Sequence, residues 1–445
     1  MSKSGDINML SGSVWDKLII FAVPLALTGV LQQLFNAADV AVLGQFVGKN
    51  AMAAVGNNIS LIGLLVNLFL GLSLGANVII AQNIGGRRLD NVKSAVHTAF
   101  LLALYVGMAV TVFGESMTEW VLNMMEVPAS VREMAETYFR IYLLGMPVIG
   151  LYNFEAAIFR SRGDTKTPLI SLVVASLLNI ALNLLFVLKF NLGVAGVAWA
   201  TVIASGVSAF ILLRILMHTD SVIKIELSAI KINRDRLREI VRIGLPAGIQ
   251  GMVFSLSNLL IQAAINSLGA DAMAASAAAF TIEINVYCVV SAFAQATTTF
   301  VGQNYGAKKL LRCRRITRVA MGLNCIFMGV LSVFILLFAE EMLSFFNPDP
   351  NVVELGKIRL WYVVSPEIIC VLLEGFSGAM RGYGISLPPA IIALVGICSI
   401  RIGWLYTVFP ASPDYATLML VYPVSWLITT IFTGIAYFYA IKHLS

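Results

Sequence analysis

Long apolar runs constrain this chain more than any other feature of its sequence. The first of them covers residues 18–42, and roughly 20 apolar residues are enough to cross a bilayer as a helix. The chain has 445 residues, of which 59% are hydrophobic and 12% charged, whereas about a quarter of a soluble domain is charged. The apolar runs are continuous and do not alternate, so they predict transmembrane helices and not a β-barrel.

Twelve apolar spans are recognisable, and each predicts one transmembrane helix. They cover residues 17–43, 53–82, 94–114, 137–159, 167–188, 192–216, 240–267, 272–303, 317–339, 357–380, 386–409 and 415–441. The first span is too long for the apolar core of a cleavable signal peptide, which has about 7–15 residues. The predicted fold is therefore an all-α integral membrane protein with twelve transmembrane helices.

The distribution of charge between the spans predicts the orientation. Of the 30 Lys and Arg residues, 23 fall on the side of the membrane that holds the N-terminus. The opposite loops carry acids, namely Glu115, Glu119, Glu126, Glu340, Glu341 and Asp349. Because positive loops stay inside, we expect a multi-pass protein of the cytoplasmic (inner) membrane with both termini in the cytoplasm. This placement of charge favours contact with membrane lipids and does not indicate nucleic-acid binding.

Three short motifs of the first half return later in the chain. AMAA at 51–54 returns at 272–275, QNIGGRR at 82–88 returns as QNYGAKK at 303–309, and RSRG at 160–163 returns as RGYG at 381–384. All three pairs are separated by 221 residues, which chance would rarely produce. The sequence therefore predicts an internal duplication.

The duplication divides the chain into an N-terminal half at 1–220, a cytoplasmic linker at 221–239 and a C-terminal half at 240–445. Six spans per half is an even number, so both halves enter the membrane from the same side. The two six-helix bundles are then related by an axis normal to the membrane. Transporters of this kind bind substrate between repeats and alternate access, whereas a channel or a receptor does not need the symmetry.

The first span carries a carboxylate inside the predicted membrane region. Thr28, Gln32, Asn36 and Asp39 follow one another at steps of three or four and so share one helix face. A carboxylate at the centre of the membrane costs about 2.5–3.5 kcal/mol, and such residues mark ion or substrate paths. A hydrogen bond to a neighbouring helix is the structural alternative. Pro24 on the same span removes a backbone hydrogen bond and favours a kink.

Further polar residues lie in the first half. Asn153 lies near Glu155 on the fourth span, Asn179 and Asn183 are one turn apart on the fifth, and Thr201 is on the sixth. A carboxylate beside several amide and hydroxyl oxygens can bind a proton or Na⁺. Hydrogen bonds that hold helices together are an equally good interpretation of the two asparagines on the fifth span.

The second half has no acid on its first span. Its acids are Glu283 on the eighth span and Glu367 and Glu374 on the tenth, and Arg401 lies deep in the eleventh. Arg401 either pairs with Glu374 or Glu367 or has a role in substrate binding. Glu283 is a candidate for a cavity acid that attracts organic cations. The residues expected along a substrate cavity are Gln32, Asn36, Phe154, Glu283, Tyr287 and Glu374.

The sequence resembles the MATE (multidrug and toxic compound extrusion) family. The resemblance is carried by the two parallel halves, by Pro24 and Asp39 on the first span, by the doubled QNxGx loop motif and by RGDTKTP at 162–168. It implies a secondary antiporter that exports drugs or organic cations in exchange for H⁺ or Na⁺. We accordingly expect a monomer that is not an enzyme and that needs no metal or other cofactor.

In bacterial members of that family, an acid on the first span forms a cation site with polar residues of the fourth, fifth and sixth spans. The matching residues here are Asp39, Asn153, Asn179, Asn183 and Thr201. The position of Asn183 is often Asp in relatives, so Asp39 is the only matched carboxylate, which favours H⁺ over Na⁺. The alternatives are Na⁺ coupling and a lipid-linked precursor flippase of the same superfamily, which should have a cationic central cavity.

Overall fold

The structure is a computed structural model that describes residues 7–125 and 127–444, apart from the side chains at 57 and 60. Lys3 and Glu126, which contribute to the predicted charge asymmetry, lie outside the described residues.

The described residues are almost entirely helical. The α-helices are α1 (Trp15–Phe46), α2 (Lys49–Gly85), α3 (Leu89–Met124), α4 (Ala129–Leu144), α5 (Met146–Arg162), α6 (Lys166–Leu184), α7 (Gly193–His218), α8 (Arg234–Ser267), α9 (Ala270–Gly306), α10 (Leu310–Leu337), α11 (Ala339–Phe346), α12 (Pro350–Val364), α13 (Glu367–Gly382), α14 (Leu387–Ala393), α15 (Ile400–Ala411), α16 (Tyr415–Met419) and α17 (Val421–Leu444). Two π-helical segments, Leu185–Lys189 and Leu394–Ser399, extend α6 and join α14 to α15.

The predicted twelve-span, all-α fold is confirmed. Eleven helical segments are long and apolar enough to cross a membrane, and the twelfth is a bent pair in which α4 and α5 meet at 49°. The bend lies at Gly145, just before Pro147 in the first turn of α5. Because proline lacks a backbone N–H and disfavours the helical conformation of the residue before it, the chain starts a new helix there.

The chain forms two compact units that are not continuous in sequence. The first contains Leu27–Gly248, and the second contains Met9–Ala26 together with the chain from Ile249 onward. The beginning of α1 therefore packs with the second half of the sequence. Within that second unit, the rings of Phe21 and Phe300 meet edge to face at 5.4 Å. The predicted boundaries of the halves at 220 and 240 stay a prediction.

The linker between the predicted halves packs on the first unit. The backbone N–H of Asn233 donates to Thr98 Oγ1 on α3 at 3.0 Å, and Lys93 Nζ lies 2.6 Å from Glu226 Oε2. The hydrogen bond from Lys93 lowers the pKa of the Glu226 carboxyl. These contacts attach residues 221–239 to α3, so this segment is not a free solvated loop.

Four glycines bring α2 and α8 into direct backbone contact in the first unit. Gly71 and Gly75 face Gly244 and Gly248, and both pairs have the four-residue spacing that lets membrane helices approach closely. A Cβ atom built on Gly71 would lie 2.1 Å from the backbone nitrogen of Gly248. Any side chain at this position would force the two helices apart.

We predict that Gly71→Ala lowers the midpoint of thermal unfolding of the purified protein, because the added methyl group overlaps the backbone of α8. Overpacking of this kind costs about 1–3 kcal/mol. Gly63→Ala on the same helix is the matched control, since nothing lies within 4 Å of the Cβ position there. Its midpoint should stay equal or rise slightly, because Ala favours a helix over Gly by about 0.5–1 kcal/mol. Equal midpoints for both variants would contradict the prediction.

Candidate functional site

Asp39 lies near the end of α1 and is buried, with 2% of its surface exposed. Asn183 Nδ2 on α6 donates to Asp39 Oδ1 at 2.6 Å. Thr201 Oγ1 on α7 donates to Asp39 Oδ2 at 2.7 Å. Each oxygen of the carboxyl group therefore accepts one hydrogen bond, as an ionised carboxylate does.

Asn179 closes this arrangement into a ring. Asn179 Nδ2 donates to Thr201 Oγ1 at 3.2 Å, and Asn179 Oδ1 accepts from Asn183 Nδ2 at 3.1 Å. Asn179 and Asn183 point the same way because they are one helical turn apart on α6. We call Asp39, Asn179, Asn183 and Thr201 the Asp39 cluster. The structure thus brings four of the five residues predicted for the cation site into one hydrogen-bonded group.

One oxygen of the Asp39 cluster has no hydrogen-bond partner among the described residues. It is Asn183 Oδ1, and it is buried. A buried polar atom without a partner is uncommon in folded proteins and calls for an explanation. Together with the carboxylate, this amide oxygen gives the cluster the donor atoms that a proton or a small monovalent cation needs.

Asn153, the fifth predicted residue, is buried but is not hydrogen-bonded to the cluster. Its Nδ2 donates to the carbonyl oxygen of Ile149, one turn back on α5, at 2.8 Å. A side chain that bonds to its own helix in this way needs no partner elsewhere. Its role at a cation site stays a prediction.

Two tyrosines of α4 belong to the surroundings of Asp39, and the sequence-based prediction did not place them there together. Tyr138 and Tyr142 are buried, interact electrostatically with Asp39, and have ring centroids 5.9 Å apart. Their spacing of one helical turn, next to a bend that turns α4 toward α5, was the available signal.

The remaining candidates from the N-terminal half of the sequence have varied surroundings. Pro24 is buried inside α1, which continues without a break beyond it. Gln32 is half-buried and Asn36 is exposed. Phe154 is fully buried in the hydrophobic core of the first unit, where it packs against protein. A role for Gln32, Asn36 and Phe154 in a substrate cavity stays a prediction, as does a conformational role for Pro24.

In the second unit, Glu283 forms a two-pronged ion pair with Arg359. Arg359 Nε lies 2.8 Å from Glu283 Oε1, and Arg359 Nη2 donates to Glu283 Oε2 at 2.9 Å. Both side chains are at most 10% exposed. The predicted cavity acid is therefore already neutralised by a guanidinium. The sequence offered little signal for this pair, because its partners lie on α9 and α12 and are 76 residues apart.

Among the described residues, Arg401 forms no ion pair with Glu374 or Glu367, the two partners that the sequence suggested. Glu374 Oε2 lies 3.6 Å from Arg381 Nη1, and Arg401 Nη1 donates to Asn258 Oδ1 at 2.6 Å. Tyr287 stacks on Phe254, with ring centroids 6.5 Å apart.

Within the described part of the chain, no group of three His, Cys, Asp or Glu side chains is arranged to hold a metal ion. The chemistry available in the Asp39 cluster is that of one carboxylate among neutral oxygen atoms. Such a group binds and releases a proton or a monovalent cation, and it has neither an adjacent base nor a nucleophile for covalent chemistry.

The chain matches a family model described as MatE twice, over residues 24–185 and again over 246–407. A Bacillus subtilis (strain 168) protein described as "Probable multidrug resistance protein YoeA" is 28% identical over 398 residues, which are 88% of this chain and 86% of that protein. A Thermotoga maritima protein described as "Probable multidrug resistance protein NorM" is 27% identical over 391 residues, 87% of this chain and 84% of that protein.

The fold also matches a solved structure described as "Outward-facing conformation of a multidrug resistance MATE family transporter of the MOP superfamily". The TM-score is 0.92 at 21% identity, and the match covers 100% of this chain and 99% of that one. At this identity the likeness concerns the fold alone.

We predict that Asn183 and Asp39 are energetically coupled. Asn183→Ala leaves a buried carboxylate oxygen without its donor, which costs about 1–3 kcal/mol, whereas the same change in an Asp39→Ala background removes no such bond. A double-mutant cycle on thermal unfolding in detergent measures the coupling. Asn153→Ala is the control, and its effect should be additive with Asp39→Ala. Additive effects of Asn183→Ala would contradict the hydrogen bond.

We also predict that Arg359→Gln lowers the free energy of unfolding by about 3–5 kcal/mol, because it leaves Glu283 buried without a counter-charge. The double variant Glu283→Gln, Arg359→Gln should recover much of this loss. Lys357→Gln on the same helix breaks an exposed pair with Glu340 and should cost less than about 1 kcal/mol. The ranking is measured by thermal unfolding, and equal losses for Lys357→Gln and Arg359→Gln would contradict it.

Proposed function

The chain belongs to the MATE family, and from this premise we propose that it is a secondary antiporter that exports drug-like organic molecules in exchange for a cation. We propose H⁺ as the coupling ion, with Na⁺ as the alternative. The names of two relatives that match most of the chain support the export of drugs. We further propose a monomer of the inner membrane with both termini in the cytoplasm, without enzymatic activity or a cofactor.

The Asp39 cluster is the observation that carries the coupling part of the proposal. Its carboxylate accepts hydrogen bonds at both oxygens, from Asn183 and Thr201. If one oxygen takes up a proton, it becomes a donor and repels the donor that faces it. If the proton is on the oxygen that faces Asn183, the amide has to turn, and its oxygen is an acceptor for the new O–H group. If it is on the oxygen that faces Thr201, the threonine hydroxyl has to redirect its own O–H, for which the carbonyl oxygen of Val197 is an acceptor at 3.1 Å. Protonation would thereby change the packing of α1 against α6 and α7.

The favoured ion follows from the charge of the cluster. Na⁺ prefers sites with more than one negative charge or with five to six oxygen ligands arranged around it. The four residues of the Asp39 cluster contain one carboxylate, and Asn183 is neutral. A proton needs only one carboxylate oxygen, so this composition supports H⁺.

Exchange requires that the drug and the cation bind preferentially to different conformations of the protein. In the proposed cycle, the outward-facing protein takes up a cation at Asp39, and the repacked α1 disfavours bound drug. The drug leaves outward, the halves alternate access, and Asp39 releases its cation to the cytoplasm.

A lipid-linked precursor flippase of the same superfamily is the second candidate. Such a protein has to bind phosphate groups, and the buried guanidinium of Arg401 in the second unit is the observation that favours it. The experiment that tests the antiporter also tests this candidate.

We predict that a cationic fluorescent dye moves across vesicles containing the protein under a proton gradient alone, and that Asp39→Asn abolishes this movement. A Na⁺ gradient alone should drive little movement. Glu340→Gln is the control, because it removes one exposed carboxylate near Lys357 and should transport like the wild type.

Gradient-driven exchange that persists in Asp39→Asn would exclude the proposed role of Asp39. Movement under a Na⁺ gradient only would reassign the coupling ion. An inactive wild type under both gradients would favour the flippase, and lipid-linked substrates would then be tested in the same vesicles.

A further inference from the structure

The two halves carry different side chains at equivalent positions of the duplicated fold. The two matches to the family model begin at residues 24 and 246, where each half has a proline. This step of 222 residues, one more than the step between the short repeated motifs, relates Asn36 to Asn258 and Asn179 to Arg401. Arg401 therefore stands where the first half has an amide of the Asp39 cluster.

Arg401 lies at the beginning of α15, directly after the π-helical segment Leu394–Ser399, and is 0% exposed. Its Nη1 donates to Asn258 Oδ1 at 2.6 Å. The guanidinium carbon lies 4.6 Å from the centroid of the Tyr422 ring and 5.3 Å from that of Phe254. The same nitrogen also lies 3.4 Å from Ser257 Oγ, so Arg401 is held through Nη1 by two side chains of α8 and by two aromatic faces.

Two nitrogens of the guanidinium, Nε and Nη2, are buried and have no hydrogen-bond partner among the described residues. These two atoms form the edge of arginine that binds a carboxylate or phosphate with two parallel hydrogen bonds. The same unit shows this use, because Arg359 binds Glu283 through its own Nε and Nη2. Arg401 offers the same edge without a protein carboxylate against it.

Among the described residues, no acid of the second unit forms an ion pair with Arg401, and this includes the buried Glu367 that the sequence offered as a partner. Glu283 is paired with Arg359, and Glu374 with Arg381. A guanidinium stays protonated in proteins, so Arg401 keeps its charge. A buried charge without a partner is costly, and aromatic faces offset only part of that cost.

We propose that Arg401 is an anion-binding subsite, in which Nε and Nη2 receive the carboxylate or phosphate group of a transported organic molecule. The flat rings of Tyr422 and Phe254 would line the same subsite and favour aromatic ligands. This inference rests on the proposed transport function and names its substrate class. Substrates would be organic anions or zwitterions, and not only the organic cations that the sequence suggested.

The test compares two ligands that differ only in the anionic group. A rhodamine with a free carboxylate and its methyl ester are titrated onto the purified full-length protein in a neutral detergent, and binding is followed by fluorescence polarisation. The wild type should bind the acid more tightly than the ester. Arg401→Gln should weaken the binding of the acid roughly ten- to hundredfold, since it removes charged hydrogen bonds, and leave that of the ester unchanged.

Arg401→Lys is the second variant, because it keeps the charge in case Arg401→Gln does not fold. A lysine cannot form the two parallel bonds, so the acid should bind more weakly than in the wild type and the ester equally well. Unchanged ester binding reports that the aromatic subsite is intact in each variant.

Three results would overturn the proposal. The first is equal affinity of the wild type for acid and ester. The second is an equal loss of affinity for the acid and the ester in the Arg401 variants, which would mean that Arg401 only supports the fold. The third is displacement of the acid by phosphatidylglycerol but not by benzoate, which would assign the subsite to a lipid headgroup. Because no gradient is applied, a failure of cation coupling would not affect the outcome.

Discussion

Hydrocarbon neither accepts nor donates hydrogen bonds, and this constraint determines how the helices of the chain pair. Each helix satisfies its backbone internally, so only side chains and close backbone contacts can fix the position of one helix against another. Gly71 and Gly248 do so by the absence of a side chain, which brings α2 and α8 into backbone contact. Asp39 does so by polarity, because its two oxygens are satisfied by α6 and α7 together.

The sequence predicts the spans and the ring of polar residues because both depend on local patterns. Apolar length identifies a membrane helix, and a spacing of four residues places Asn179 and Asn183 on one face. The bend at Gly145 was not expected, since the apolar run passes through it. The pair of Glu283 and Arg359 could not be found either, because it depends on the rotation and register of two distant helices. Asn153 is a residue that the family resemblance assigned to the cation site, but its side chain donates to a carbonyl oxygen of its own helix.

The duplication and the packing divide the chain in different ways. The repeats are contiguous in sequence, but the beginnings of α1 and α8 pack with the unit formed by the other half of the sequence. Pro24 and Pro246 lie just before the residues where each helix passes from one unit to the other. A proline removes a backbone hydrogen bond inside the helix and lowers the cost of a local change in direction. The first helix of each repeat therefore contains a proline close to the residue where the helix changes its packing partners.

The two halves of the duplicated fold hold opposite charges, and these charges come from positions that are not equivalent. In the first half, Asn179 supports a carboxylate that comes from α1, and the charge of that site is negative. In the second half, the arginine at the equivalent position carries the charge itself, and the neutral Asn258 of α8 supports it. The arrangement of helices is the same, but the roles of charged residue and supporting amide are exchanged. Because Arg401 cannot lose its proton, its partner has to be an anion, whereas Asp39 can be neutralised by a proton alone. The two proposals accordingly assign different ligands to the two halves, a coupling cation to the first and an acidic group of the substrate to the second.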